Sequence, residues 1–252
     1  MIEPHSETFE RQRRHIALSG IGALGMQQYG AARIAVIGAG GLATPALTLL
    51  AAAEPALLAI FDFDTIERHN LARQTLYREA DLGRNKAEVA AERLRGAVPA
   101  GRVTAQTQRL DADNVTSVLT GFDLVLDTTD HWPTRFVVAD ACRNLEVPLV
   151  WGSVVAFDGI CTVFAPGGPG IDDLIDREQV SCEPGRSGSV EGTFSPLCGQ
   201  VGAAMAGEAF KLIARVGEPL IGRVQLWDTL RATVREVPLR AAAVSHPGLP
   251  QS

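Results

Sequence analysis

The residues able to do chemistry fall in three short segments. Val36-Ile37-Gly38-Ala39-Gly40-Gly41-Leu42-Ala43 puts glycines directly after an apolar run, and glycines at a strand-to-helix turn let backbone N–H groups come close to a phosphate. The apolar run 57–60 ends in Phe61-Asp62-Phe63-Asp64. An acidic residue about 20 positions beyond such a loop accepts hydrogen bonds from ribose hydroxyls, so Asp62 is the ribose candidate. Asn70-Leu71-Ala72-Arg73-Gln74 and then Lys86 come next. A dinucleotide-dependent dehydrogenase has no use for cations at that place, whereas Arg73 and Lys86 would set positive charge beside a triphosphate, with Asn70 and Gln74 adding neutral hydrogen bonds.

A fourth segment, Asp127-Thr128-Thr129-Asp130, follows the apolar Leu124-Val125-Leu126. Asp130 therefore stands just past the carboxyl end of a strand, where open α/β sheets hold ligands and where a magnesium ligand belongs. The alternative is the N-cap of a helix beginning near Pro133. Together the segments fit transfer of AMP to a carboxylate. Such a nucleophile is ionised at neutral pH and needs no general base. Charge neutralisation is what it needs, because one anion approaches another, and Arg73, Lys86 and a magnesium ion on Asp130 would supply it.

These residues require a frame that brings loop ends together. Short apolar runs at 33–37, 57–62, 103–108, 122–127 and 148–151 alternate with longer amphipathic ones at 44–53, 86–97 and 135–144, which predicts an α/β fold of the Rossmann-like, doubly wound kind with a parallel sheet. Pro45 is harmless in a first helical turn. Beyond Gly152 the pattern changes to antiparallel: 154–157 and 160–164 read as a hairpin turning at Asp158-Gly159. A helix over 199–214 and a hairpin of 223–227 with 232–237 complete the sheet. The expected organisation is a helical arm over 1–32, one domain over 33–240 with a Gly/Ser-rich mobile loop at 165–195, and a disordered tail at 241–252.

The 252 residues, 46% hydrophobic and 21% charged, are enough for one large core. A net charge of −6 argues against a protein built on nucleic-acid phosphates. The polar start Met1-Ile2-Glu3-Pro4-His5-Ser6-Glu7 carries no leader pattern, and the most apolar stretch, 42–61, is broken by Pro45, Glu54 and Pro55; a cytoplasmic protein with no membrane partner is expected. Cys142, Cys161, Cys182 and Cys198 form no Cys-x-x-Cys pair, so a disulfide framework is not expected.

Over about 9–239 the chain resembles the sulfur-carrier-protein adenylyltransferases of the ThiF/MoeB type, a branch of the ubiquitin-activating superfamily. The motifs are Arg11-Gln12-Arg13-Arg14-His15-Ile16, Gly38-Ala39-Gly40-Gly41-Leu42, Asp62-Phe63-Asp64, Asn70-Leu71-Ala72-Arg73-Gln74, Gly83-Arg84-Asn85-Lys86, Leu126-Asp127-Thr128-Thr129-Asp130, Gly159-Ile160-Cys161-Thr162-Val163-Phe164, and Pro196-Leu197-Cys198-Gly199 leading to Glu208-Ala209-Phe210-Lys211. The resemblance implies an ATP- and Mg2+-dependent homodimer that adenylates the C-terminal glycine of a small ubiquitin-like protein ending in Gly-Gly, ready for thiocarboxylate formation. By motif match Gly38, Gly40, Gly41, Asp62, Asp64 and Gln74 line the nucleotide site; Asn70, Arg73 and Lys86 contact phosphates, Asp130 holds magnesium, and Arg14 reaches into the partner subunit's site.

The chain departs from that pattern in two places. The two Cys-x-x-Cys pairs that hold a structural zinc are missing, so no zinc is expected. The loop thiol ahead of Glu191-Gly192 falls on Ser189 without gaps, or on Cys182 if the loop is longer. Both point to a specialised member, such as a microcin-type enzyme that adenylates a short peptide. Two rival classes remain: an NAD-dependent oxidoreductase, with His131 as the available acid or base, and a non-catalytic protein that docks a ubiquitin-like tail.

Overall fold

The computed structural model describes residues 7–96, 98, 102–181 and 192–241. Helices α1 (Glu7–Ile16) and α2 (Gly22–Ala31) lead into β1 (Arg33–Ile37), α3 (Ala43–Ala52) and β2 (Leu57–Phe61). Then come α4 (Lys86–Arg95), β3 (Val103–Gln106), α5 (Val115–Leu119), β4 (Leu124–Asp127) and α6 (Trp132–Asn144). The chain continues with β5 (Leu149–Val155), β6 (Asp158–Phe164), α7 (Arg177–Ser181), α8 (Ser195–Ala214), β7 (Arg223–Asp228) and β8 (Thr233–Pro238). One eight-stranded sheet runs β3-β2-β1-β4-β5-β6-β7-β8. Its first five strands are mutually parallel and its last three antiparallel, as the change of pattern after Gly152 predicts.

Successive side chains of a strand point to opposite faces, and here both faces are covered. Ile34 and Val36 of β1 join a core with α3, α4 and α8, while Ala35 and Ile37 join the core beneath α5 and α6. Burial on both faces explains why these strands read as continuous apolar runs. The sheet order reverses at β1, between β2 and β4, so the carboxyl ends of these strands open a crevice.

One expectation is corrected. The β5–β6 hairpin turns at Ala156-Phe157, and Asp158 and Gly159 are paired with Val155 and Val154. Ala156 takes the positive φ of 49°, held by its N–H donating to the Gly192 carbonyl at 3.1 Å and its carbonyl accepting from Phe194 N–H at 3.0 Å. Gly159 serves close packing: a Cβ there would stand 2.7 Å from Val201 Cγ2. The first part of the loop expected over 165–195 makes contacts with the body. Ile171 is fully buried, and Arg177 pairs with Asp140 and Asp172 and lies 4.7 Å over the Phe136 ring. Cys182, Ser189 and the expected tail beyond Ala241 lie outside the described residues. Helix α5, also unread in the sequence, is a single short turn whose Val115 and Leu119 cover the sheet.

Candidate active site

A cavity of about 270 Å³ occupies the crevice, and Gly38, Gly40, Gly41, Asp62, Asp64, Asn70, Arg73, Gln74, Lys86 and Asp130 all line it. Every sequence-predicted site residue of the described body is brought to one place except Arg14, which is exposed on α1 and does not line it. Helix α1 is docked elsewhere: Gln12 donates to the Ala52 carbonyl at 2.9 Å, and Arg11 pairs with Glu54 at 3.2 Å.

The glycine loop is shaped by its neighbours. Gly38 has φ +93°, and a Cβ there would meet Thr128 Oγ1 at 2.9 Å; both facts favour glycine. Thr128 Oγ1 donates to the Ile37 carbonyl at 2.8 Å, and Tyr77 O–H donates to the Ala39 carbonyl at 2.7 Å and the Lys86 carbonyl at 3.1 Å. Thr128 and Tyr77 are braces that the sequence did not announce. Asp62 accepts Ala39 N–H at 2.7 Å and Asp64 N–H at 2.9 Å. Burial pushes its carboxyl up, and the charge of Lys86 pulls it part of the way back. Each oxygen retains a lone pair for a ribose hydroxyl.

Lys86 stands at the first position of α4, a helix end that disfavours cations, and is 8% exposed. Asp64 compensates at 3.0 Å. Asn85 caps the helix by accepting Glu88 N–H at 3.0 Å, and its own amide donates to the Asp62 carbonyl at 3.0 Å. One asparagine therefore fixes the spacing between the Asp62 segment and Lys86. Gln74 is buried with Oε1 lacking a partner. Arg73 packs against Gly41, where a Cβ would meet its Cγ at 3.3 Å and Cys198 Sγ at 3.1 Å. Burial raises the Cys198 thiol, with Arg73 drawing it back.

Asp130 is exposed at the cavity wall. The capping alternative fails: α6 starts at Trp132, its cap position is His131, and no side chain caps it. Pro133 inside the first turn brings no N–H to be capped. Asp130 is thereby left to the cavity. His131 Nδ1 lies 3.0 Å from Thr134 Oγ1. Asp127 is fully buried, with Oδ1 accepting Thr129 N–H and Oγ1–H at 2.9 and 2.7 Å, and burial raises its carboxyl. Arg135, which sequence reasoning also missed, lines the cavity from α6. Among the described residues no group of three or more His, Cys, Asp or Glu could hold a metal ion, and no helix is long and apolar enough to cross a membrane.

The arrangement suits a nucleoside triphosphate: the glycine turn, the Asp62 and Asp130 carboxylates and the cations Arg73 and Lys86 all line one crevice. The ThiF family matches residues 12–247. The chain belongs to the ThiF family. Among ThiF relatives, the sulfur carrier protein adenylyltransferase of Thermus thermophilus is 37% identical over 93% of this chain and 88% of its own length. The molybdopterin-synthase adenylyltransferase of Salmonella typhimurium is 34% identical over 95% of this chain and 96% of its own. The probable adenylyltransferase/sulfurtransferase MoeZ of Mycobacterium tuberculosis is 36% identical over 95% of this chain, which spans 63% of that longer protein. The crystal structure of E. coli MccB with ATP matches with a TM-score of 0.82 at 20% identity, covering 95% of this chain and 74% of that one; at that identity the likeness concerns the ThiF fold alone.

Proposed function

We propose that the protein is an adenylyltransferase that uses ATP and magnesium to activate the C-terminal carboxylate of a small ubiquitin-like sulfur-carrier protein ending in Gly-Gly. The observation that carries this reading is the meeting of Arg73, Lys86 and Asp130 with the glycine cradle around one cavity. A carboxylate oxygen attacks the α-phosphorus, a new C(O)–O–P bond forms, the α–β phosphoanhydride breaks, and pyrophosphate leaves with its charge. Asp62 and the Gly38–Gly41 turn orient the nucleotide. Arg73 and Lys86 offset the charge of the phosphates, Lys86 exchanging its contact with Asp64 for one with phosphate, and Asn70 and Gln74 add neutral hydrogen bonds. The exposed Asp130 carboxylate fits magnesium, which takes one or two protein carboxylates beside substrate phosphates. When bound, that ion would supply charge neutralisation at the phosphate oxygens.

The proposed enzyme is a cytosolic homodimer in which Arg14 completes the partner's site. Its exposure on α1, outside its own chain's cavity, supports that role. With four cysteines and no Cys-x-x-Cys pair in the chain, the protein is proposed to hold no structural zinc. The same shortage supports a second reading, in which the acceptor is a short peptide.

Subunit complementation tests the proposal. Arg14→Ala and Asp130→Ala homodimers should each lose ATP–pyrophosphate exchange by about 10²- to 10³-fold, the effect of removing one preorganised charge partner. Mixed dimers should recover it, because one of their two sites holds both wild-type residues. No recovery despite verified subunit exchange would put Arg14 outside the partner's site, and near-normal exchange in Asp130→Ala would remove Asp130 from the chemistry. Exchange driven by a short peptide but by no Gly-Gly protein would decide for the second reading.

A further inference from the structure

Arg135 is a buried guanidinium without an ion-pair partner among the described residues. It is 3% exposed and lies between two indole faces, 4.6 Å from the Trp132 centroid and 5.1 Å from that of Trp151. Its Nε donates to the Thr129 carbonyl at 2.9 Å. Its Nη2 donates to the same carbonyl and to Ser153 Oγ at 3.2 Å. Nη1 makes no hydrogen bond among the described residues, yet Arg135 contributes to the cavity wall beside Asp130 and Val154.

Burial pulls the pKa of this guanidinium down, and the charges of Asp127 and Asp130 act on it from beyond ion-pair distance in the opposite sense. The ordinary value lies so far above neutrality that the cation persists. Removing a charge from water is costly unless something of opposite sign meets it. Here two neutral oxygens and two aromatic faces compensate part of that cost. Bracing Thr129 uses two of the three nitrogens, and one edge is left for an anion.

The triphosphate already has Arg73 and Lys86, which follow β2 and reach the cavity from the glycine-loop wall. Arg135 belongs to α6 and donates to Ser153 of β5, so it comes to the cavity from other elements than Arg73 and Lys86 do. The anion that the proposed reaction adds to ATP is the acceptor's carboxylate. We infer, building on the adenylyltransferase reading above, that Arg135 binds the terminal carboxylate of the acceptor and holds it in the cavity for attack. A guanidinium suits this contact because its fork can brace Thr129 on one edge and meet a carboxylate on the other.

The test uses the full chain with a ubiquitin-like protein ending in Gly-Gly, prepared as the free acid and as the C-terminal amide. Binding of both forms is measured with magnesium and a non-hydrolysable ATP analogue present. ATP affinity without acceptor and acceptor-dependent ATP–pyrophosphate exchange are measured alongside. Wild type should bind the acid about tenfold or more tighter than the amide, the span of a charge-assisted hydrogen bond. Arg135→Gln keeps a donor for Thr129 and removes the charge. It should bind both forms alike, raise the acceptor KM and leave ATP affinity within about twofold, while Arg135→Lys should restore part of the preference. An Arg135→Gln variant that still prefers the acid overturns the assignment. So does ATP affinity falling in step with exchange, which would make Arg135 a brace for the Thr129–Asp130 turn. Should Arg135→Gln fail to fold, the comparison is read on Arg135→Lys, whose full wild-type preference would overturn the fork-shaped contact. A wild type that catalyses no exchange with this acceptor sinks the functional reading itself; normal wild-type exchange beside an unaffected variant sinks only the role of Arg135.

Discussion

Asp81 and Arg135 are both buried charges, and their surroundings treat them in opposite ways. Asp81 sits at the foot of α4, where its carboxylate accepts Arg93 Nη2 at 2.9 and 3.1 Å, Arg78 N–H at 2.9 Å and Arg84 Nη1 at 3.3 Å. Burial alone would raise this carboxyl, but the bonds from Arg93 and Arg78 and the charges of Arg93 and Arg84 outweigh it and hold the pKa below the ordinary carboxylate value. Arg93 Nε is the atom this network leaves without a partner. At the cavity the balance is reversed. Burial dominates at Asp62 and raises it, Gln74 Oε1 lacks a partner among the described residues, and Arg135 meets no carboxylate among them. On the proposed function, Asp81 is a charge that the chain satisfies from within, and Arg135 is one left for a ligand.

The contrast would break first at Asp81. Removing one member of a buried ion pair leaves the other uncompensated and typically costs about 3–5 kcal/mol, so Asp81→Ala should lower Tm by about 6–20 °C with ATP affinity of the folded protein unchanged. A harmless substitution would mean that the network contributes nothing. Asp62→Asn is its counterpart at the cavity: losing charged acceptors for the ribose hydroxyls should weaken ATP binding by about 1.5–3 kcal/mol, while Tm stays within about 3 °C. A large stability loss with ATP affinity intact would invert the assignment of the two regions.

Titration sharpens the same comparison with smaller effects. The folded pKa of Asp81 is depressed, so its contribution to stability is complete above the ordinary aspartate value near 3.9 and is lost as the pH falls through the folded value. The Tm deficit of Asp81→Asn should therefore stay constant from pH 7 down to about 4 and close only below that. Asp62 has the opposite sign. Its raised folded pKa means that wild type gains stability by taking up a proton above the ordinary value, so any Tm advantage of Asp62→Asn at pH 7 should shrink before Asp81 begins to titrate. Melting curves between pH 3 and 7 decide, and a common midpoint for the two variants would contradict the contrast.

Much of the fold could be read in the residues, because its central strands β1, β2 and β4 are buried on both faces and its helices on one. Period and length then separate them, as at 33–37 and 86–97. The lining of the cavity was legible for a related reason: Gly38, Asp62 and Asp130 follow the ends of strands and Lys86 begins a helix, whereas Arg73 lies in a turn. Arg135 and Tyr77 were not legible. Each lies inside an element or a loop with no local signal, and each matters through partners distant in the chain, Ser153 for one and Ala39 for the other. Gly159 misled because glycine serves both turns and close packing, and only the position of α8 tells which.

Helix α8 has a consequence for how the protein is made. A Cβ at Gly202 would lie 2.3 Å from the Leu42 carbonyl oxygen, and one at Gly152 would lie 2.5 Å from Met205 Sδ, so α8 is keyed tightly both to the glycine-loop helix and to the middle of the sheet. Ser195 Oγ also donates to the Ala72 carbonyl at 2.8 Å, next to Arg73. On the ribosome, strands β1 to β5 emerge well before this helix, and contacts of such long sequence separation form late. The packing around the glycine loop is therefore finished only when residues 195–214 arrive, and on the proposed function nascent chains stalled before that point should retain no ATP while slightly longer ones do.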